Sequence, residues 1–134
     1  MSRDINDLHP DLQQPCMDFL NQCKDAGLKP FIIFTWRSPA EQDRLYAQGR
    51  TEPGPIVTNL KGNQSLHCFM LNGEPASKAF DFGLEDENNR YITDGTDPRY
   101  TQSGHIGESL GLIWGGRFIH PRPDYDHLQL KGNT

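Results

Sequence analysis

Two histidines and two aspartates are the residues of this 134-residue chain whose types and spacing could do chemistry. His67, Asp81 and His127 form a common set of zinc ligands, and a catalytic zinc site leaves a fourth position open for water. Asp81 stands between two aromatic side chains, Phe80 and Phe82, where a carboxylate is costly to bury unless a cation pairs with it. Asp124 precedes His127 by three residues, a spacing that can bring a carboxylate beside a metal to accept a proton without binding the metal.

Spacing alone leaves a plainer interpretation open, in which these side chains are scattered polar residues without a metal. The chain contains five histidines, and His105 with Glu108 is typical of the solvated face of a helix. His9 and His120 each precede a proline and are expected in exposed loops. Arg37, at the end of a predicted strand, could equally pair with any nearby acid.

Composition argues against several classes of partner. The chain has 13 Lys plus Arg and 18 Asp plus Glu, a formal charge of −5, so we expect neither nucleic acid nor an anionic membrane as a partner. The longest apolar run has four residues, far fewer than the ~20 of a membrane span. The polar start Met1-Ser2-Arg3-Asp4 predicts no signal peptide. The three cysteines, Cys16, Cys23 and Cys68, are predicted to be buried, reduced thiols.

Hydrophobic periodicity and capping residues predict the elements that must position the polar set. Helices are expected around residues 12–23, which include Pro15, from Ser38 to about Gln48, and from Asp97 towards Gly111. Strands are expected at 31–36, where the run is apolar enough to be buried, and at 79–82, 112–114 and 125–130, with a loop over 50–64. Helices and polar-bearing strands together predict a single α+β domain spanning residues 1–134.

Five motifs in order, over about residues 30–130, resemble those of the zinc D,L-peptidases that cleave peptidoglycan stem peptides, a family of D-Ala-D-Ala carboxypeptidases and phage endolysins. Residues 35–50 resemble the front motif, and 53–59 continue it. The other segments are Ser65-Leu66-His67, similar to the Ser-x-His of the first ligand; Ala79-Phe80-Asp81, similar to the Ala-x-Asp of the second; Trp114-Gly115-Gly116; and Asp124-Tyr125-Asp126-His127, similar to the closing acid-x-x-His.

The resemblance implies a fold and a set of roles. The fold would be a small antiparallel sheet with flanking helices and a zinc site on the sheet, as in D-Ala-D-Ala peptidases and the hedgehog signalling domain. Zn²⁺ would be bound by His67, Asp81 and His127. Asp124 would act as general base and Arg37 would stabilise the oxyanion of the transition state.

The resemblance also implies contacts with substrate. Ser65 and Gln42 are the predicted substrate-binding residues, and Gln42 could in addition support Arg37 from the neighbouring helix. One departure from the family stands out: His67 and Asp81 are fourteen positions apart, where the family has a short glycine-containing turn. The extra residues include the turn-forming Asn72-Gly73, so this insertion could narrow or extend the substrate groove.

The expected function is hydrolysis of peptidoglycan stem peptides, with the L-Ala–D-Glu bond favoured because the loop from Arg50 to Asn59 resembles that of the endolysins. We expect a monomeric catalytic domain without a separate wall-binding domain, held in the host cytoplasm until lysis. Two alternatives remain. One is a D-Ala-D-Ala carboxypeptidase or dipeptidase, which needs a cation such as Arg117 or Arg122 to hold a terminal carboxylate. The other is a non-catalytic zinc module, which the presence of Asp124 and Arg37 disfavours.

Overall fold

Within residues 1–132, which a computed structural model describes, three α-helices flank a four-stranded antiparallel sheet. The helices are α1 (Pro10–Asp25), α2 (Pro39–Ala47) and α3 (Pro98–Ser109). The strands are β1 (Lys29–Phe34), β2 (Met70–Leu71), β3 (Glu74–Pro75), β4 (Ala79–Glu85), β5 (Ile113–Trp114) and β6 (His127–Gln129). The main sheet has the order β1-β4-β6-β5, and β2 pairs with β3 in a separate hairpin. This confirms the predicted α+β class; the predicted domain's last two residues lie outside the described range.

Helix α1 buries the face that the sequence predicts. Leu12, Cys16, Phe19 and Cys23 are fully buried against the sheet, where Phe19 lies edge-on to Phe82 at 4.8 Å between ring centroids. The helix begins at Pro10, capped by His9, so Pro15 lies inside it and does not start it. Burial raises the pKa of Cys16 to about 12, so this thiol packs as a small neutral side chain.

Strand β1 corrects one expectation. The apolar run after Pro30 is a strand, but it lies at the edge of the sheet and pairs only with β4. Of its residues only Phe34 is buried. Pro30 fits this position because an edge strand tolerates a residue without a backbone N–H. The prediction of a buried strand was therefore wrong, since an apolar run does not reveal which sheet position it occupies.

Helix α3 lies unusually close to the strands that carry the site. Gly104 faces the indole of Trp114, and Gly107 faces Leu128 on β6. A Cβ atom at either glycine would collide with these side chains, so only glycine allows this approach. Trp114 is buried in the core, and its Nε1–H donates to the carbonyl of Tyr125 at 2.9 Å. This packing fixes the chain on both sides of His127.

The inserted residues between His67 and Asp81 form the β2–β3 hairpin. Asn72 and Gly73 both adopt positive φ, 54° and 79°, as a tight two-residue hairpin turn requires. Met70 and Leu71 at its tip are exposed. Throughout residues 1–132, every helix is too short or too polar to cross a membrane.

Candidate active site

The three predicted metal ligands come together from three parts of the chain. Asp81 on β4 and His127 on β6 are direct partners in the antiparallel register of these strands. His67 lies in a 3-10 turn, Leu66–Cys68. Asp81 Oδ1 is 3.3 Å from His67 Nε2 and 3.2 Å from His127 Nδ1, so one carboxylate oxygen faces both imidazoles. All three ligand atoms lie within 4.8 Å of one another, which is a distance that one metal ion can span.

His67 is held so that only its Nε2 points to the cluster. Its Nδ1 lies 3.2 Å from the carbonyl oxygen of Thr35, which fixes Nδ1 as the protonated nitrogen. Ser65 caps the 3-10 turn, because its hydroxyl accepts a hydrogen bond from the backbone N–H of His67 at 3.3 Å. The imidazole also packs against Phe34, with 4.3 Å between ring centroids. His67 therefore turns Nε2, and not Nδ1, towards Asp81.

His127 is oriented in the opposite sense, with Nδ1 towards the cluster. Its Nε2–H donates to Gln129 Oε1 at 2.8 Å. Gln129 was not identified from the sequence, although a signal was present: it lies two residues after His127 in a predicted strand, and such residues share one face. Both imidazoles thus have a protein partner on the side away from Asp81.

The carboxylate of Asp81 and the imidazole of His127 each favour the charged form of the other. Burial opposes ionisation of Asp81, but hydrogen bonds from His127 and His67 hold the pKa of its carboxyl well below the ordinary value. Burial also opposes protonation of His127, while its hydrogen bond with Asp81 and the charge of that carboxylate raise its pKa above the ordinary value. A buried carboxylate such as Asp81 is stable only with a positive charge nearby, and the place for that charge is the side on which the two imidazoles face it.

Asp124 lies beside the cluster without joining the three inner groups. Its Oδ2 is 3.8 Å from His127 Nδ1, and its side chain is half exposed. Its backbone N–H donates to the carbonyl of Gly115 at 2.8 Å, and a Cβ at Gly115 would collide with the Asp124 backbone. The Trp-Gly-Gly segment thus holds Asp124 close to the cluster. This is the placement that the acid-x-x-His spacing predicts.

Asp126 is a second carboxyl at the site that the sequence did not single out. Burial, followed by the nearby charge of Asp81 and a hydrogen bond with Asp124, raises its pKa to about 9. Asp126 therefore behaves as a neutral hydrogen-bonding group next to Asp124. A signal was present in the sequence, because two carboxyls within three residues of a ligand histidine are expected to shift each other's pKa.

Arg37 reaches the same site from the loop after β1. Its guanidinium lies over the Phe34 ring at 4.3 Å and donates from Nη1 to Gln42 Oε1 at 2.8 Å. Its Nε is buried with no hydrogen-bond partner among the described residues. No carboxylate within residues 1–132 pairs with Arg37. The alternative in which Arg37 simply forms an ion pair with a nearby acid is therefore excluded for the described residues.

Gln42 is only 2% exposed, and the protein itself uses its amide group. The amide oxygen accepts from Arg37, and the amide nitrogen donates to the hydroxyl of Thr58 and the carbonyl of Leu60, at 3.2 and 2.8 Å. Gln42 therefore joins Arg37 to the loop of residues 50–64. Of its two expected roles, support of Arg37 is the one these contacts provide, and contact with substrate stays a prediction for this residue, which also lines the cavity at this site.

These groups line one open cavity of about 540 Å³. The loop segment 56–60, Ser65 and the segment 118–124 all contribute to its lining. None of residues 68–78 lines it, so the inserted hairpin neither narrows nor extends this cavity. Arg122 and His120 lie on its wall, whereas Arg117 lies outside it and is paired with Glu108 at 2.9 Å.

The donor set fits zinc. Two imidazole nitrogens, whose rings are each oriented by a hydrogen bond on the far side, and one carboxylate oxygen are typical ligands of a catalytic zinc ion. Asp81, Asp124 and Asp126 form a second group whose oxygens are close enough to hold a cation. That group offers only oxygen, which favours magnesium or calcium over zinc. The His-Asp-His group is therefore the candidate zinc site.

Comparison with known proteins places this arrangement in a family. No protein-family model matches the chain. The peptidoglycan L-alanyl-D-glutamate endopeptidase CwlK of Bacillus subtilis is 33% identical over 136 aligned residues, which cover 96% of this chain and 76% of CwlK. The crystal structure of the Serratia marcescens L-Ala D-Glu endopeptidase ChiX superimposes with a TM-score of 0.61 at 18% identity, over 94% of this chain and 82% of ChiX, and so shares its fold. The chain thus belongs to the zinc D,L-peptidase family of peptidoglycan hydrolases.

Proposed function

We propose that this chain is a zinc endopeptidase that hydrolyses the L-Ala–D-Glu bond of peptidoglycan stem peptides. The observation that carries the proposal is the cluster of His67, Asp81 and His127, which lies in an open cavity together with Asp124 and Arg37. CwlK and ChiX, both named as L-Ala–D-Glu endopeptidases, support the same bond.

The metal would be held by His67 Nε2, the Asp81 carboxylate and His127 Nδ1. Zinc bound there would polarise the scissile carbonyl and lower the pKa of water. The protein contributes a preset orientation of each ligand. Thr35 and Gln129 orient the two imidazoles through their outer nitrogens, and the imidazoles that face Asp81 hold the pKa of its carboxyl below the ordinary value.

Asp124 is the proposed general base. Its carboxylate is half exposed, 3.8 Å from a ligand nitrogen, and lines the cavity, so it can take a proton from the attacking water. The same carboxyl can then donate that proton to the leaving amine of D-Glu. Asp126, held neutral beside it, supplies a hydrogen-bond donor to Asp124.

Arg37 is the proposed stabiliser of the oxyanion. Attack on a peptide carbonyl places negative charge on its oxygen, and a fixed guanidinium in a partly buried site stabilises that charge. Gln42 and the Phe34 ring hold Arg37 from one side, which leaves part of its guanidinium directed to the cavity. A non-catalytic zinc module would have no need for this arginine or for Asp124.

Cleavage within a peptide is supported by the shape of the cavity. The cavity of about 540 Å³ is lined by residues 56–60 as well as by segment 118–124, so its lining extends beyond the three ligand residues and offers contacts to more than one end of a peptide. Endolysin activity, release from the host cytoplasm at lysis and a monomeric state stay predictions that rest on the family resemblance.

The first prediction concerns the partner of His127. Wild-type protein is expected to bind one zinc per chain, and Gln129→Leu is expected to weaken zinc binding about 10- to 100-fold, because it removes the hydrogen bond that fixes Nδ1 as the ligand. Gln129→Glu keeps an acceptor oxygen and should retain affinity close to wild type. Competition with a chromophoric chelator measures each affinity. Equal zinc affinity in wild type and Gln129→Leu would show that Gln129 does not orient the ligand.

The second prediction separates the base from the ligands. Asp124→Ala should still bind one zinc but lose turnover by a factor on the order of 10² or more. Arg37→Ala should also keep zinc and lose about 10²-fold or more in kcat, through loss of oxyanion stabilisation. His67→Ala, in contrast, should lose the metal. Elemental analysis combined with a peptide-cleavage assay gives both quantities, and loss of zinc from Asp124→Ala would make Asp124 a ligand.

The third prediction concerns the bond. Digestion of purified sacculi should leave L-Ala on the muramyl group and create new N-terminal D-Glu, which mass spectrometry and end-group labelling identify. Asp124→Ala serves as the inactive control. Release of single D-Ala residues alone would instead establish the carboxypeptidase alternative.

A further inference from the structure

We propose that Arg122 binds the free carboxylate of the substrate's D-glutamate and makes the enzyme selective for stem peptides in which that carboxyl is not amidated. This inference rests on the proposed function. It starts from the cations of the cavity, which are Arg37, His120 and Arg122 beside the ligand histidines. Arg37 is engaged by Gln42 on the side of the 50–64 loop, whereas Arg117 lies outside the cavity, paired with Glu108.

Arg122 is an exposed arginine on the cavity wall whose guanidinium has no ion pair with any carboxylate in the described part of the chain. It follows Pro121 and precedes Pro123, and a residue before proline is restricted to extended conformations. Two prolines thus limit the backbone of the segment that carries both Arg122 and Asp124 to the cavity. Arg122 is therefore placed close to the proposed base and free to bind an anion.

The chemistry of the substrate places an anion at this point. In the L-Ala–D-Glu bond the scissile nitrogen is attached to the α-carbon of D-Glu, and the stem peptide continues through the γ-carboxyl. The α-carboxylate is thus bonded to the carbon next to the leaving nitrogen. Because Asp124 delivers a proton to that nitrogen, the α-carboxylate must lie within a few ångströms of Asp124.

Without a cation, this part of the cavity would repel that carboxylate. The Asp124 carboxylate lines it, and the Asp81 carboxylate lines the same cavity. A guanidinium that lines the same cavity, two residues before Asp124 in the chain, offsets the repulsion and can bind a carboxylate through two parallel hydrogen bonds. An amide at the same position cannot form this charge-assisted pair. Arg122 therefore distinguishes D-glutamate from D-isoglutamine at the residue after the scissile bond.

The test compares two synthetic muramyl-free peptides, one with D-Glu and one with D-isoglutamine after L-Ala, on wild type, Arg122→Gln and Arg117→Gln. Wild type is expected to cleave the D-Glu peptide with a kcat/KM about tenfold above that of the amidated peptide, as one charge-assisted hydrogen bond accounts for. Arg122→Gln should lower kcat/KM for the D-Glu peptide, mainly by raising KM. The fold-decrease for this peptide should be about ten times the fold-decrease for the amidated peptide, so that the variant no longer prefers D-Glu. The matched control Arg117→Gln removes an equal charge outside the cavity and should keep the wild-type preference.

Each possible result either supports or overturns the proposed role of Arg122. Equal cleavage of both peptides by wild type, or a preference that persists in Arg122→Gln, overturns the role of Arg122 while leaving the endopeptidase function intact. Cleavage of neither peptide by wild type overturns the proposed function and this inference with it. Zinc content and thermal unfolding of Arg122→Gln, measured on the same samples, should equal those of wild type, and a loss of zinc would assign its effect to the metal site instead.

Discussion

The position of Asp81 Oδ1 between two histidine rings is the constraint on which the rest of this structure depends. A single buried carboxylate oxygen faces His67 Nε2 and His127 Nδ1 at almost equal distances. This arrangement exists only because β4 and β6 pair with Asp81 directly opposite His127. A register shift of one residue would turn His127 to the other face of the sheet and leave Asp81 without its partner. The register of β4 and β6 therefore sets the relative positions of two of the three ligand residues.

Several features of the fold serve to hold that register and the third ligand in place. Gly107 lets α3 pack directly on Leu128, next to His127, and Gly115 lets the segment that carries Asp124 approach the strand ends. The carbonyl of Thr35 orients His67 from the end of β1. His67 is thus supported by an element other than the one that carries it, whereas His127 is oriented by Gln129 on its own strand. A site built in this way is preorganised, and its polar groups pay their desolvation cost during folding and not during catalysis.

The sequence predicted the parts of this site that obey local rules. Ser38 and Glu41 indicated the start of α2, and the Ser38 hydroxyl accepts from the Glu41 N–H at 3.1 Å. Asp81 was conspicuous because a carboxylate between aromatic residues needs a partner. Gln129 shares a strand face with His127, which the spacing indicates, but its hydrogen bond also depends on the ring orientation of His127, which no local pattern encodes. The edge position of β1 and the separation of the inserted hairpin from the cavity depend on sheet order and tertiary packing, which residue spacing does not contain.

His67, Asp81 and His127 are expected to hold one metal ion, with His127 binding through Nδ1. The most direct measurement is a crystal structure of the zinc-loaded protein with anomalous diffraction recorded on both sides of the zinc absorption edge. We predict one anomalous peak per chain, with His67 Nε2, an Asp81 oxygen and His127 Nδ1 at about 2.0–2.2 Å and the Asp124 carboxylate outside ligand distance. A peak held instead by Asp81, Asp124 and Asp126, or a His127 ring turned to bind through Nε2, would contradict the account.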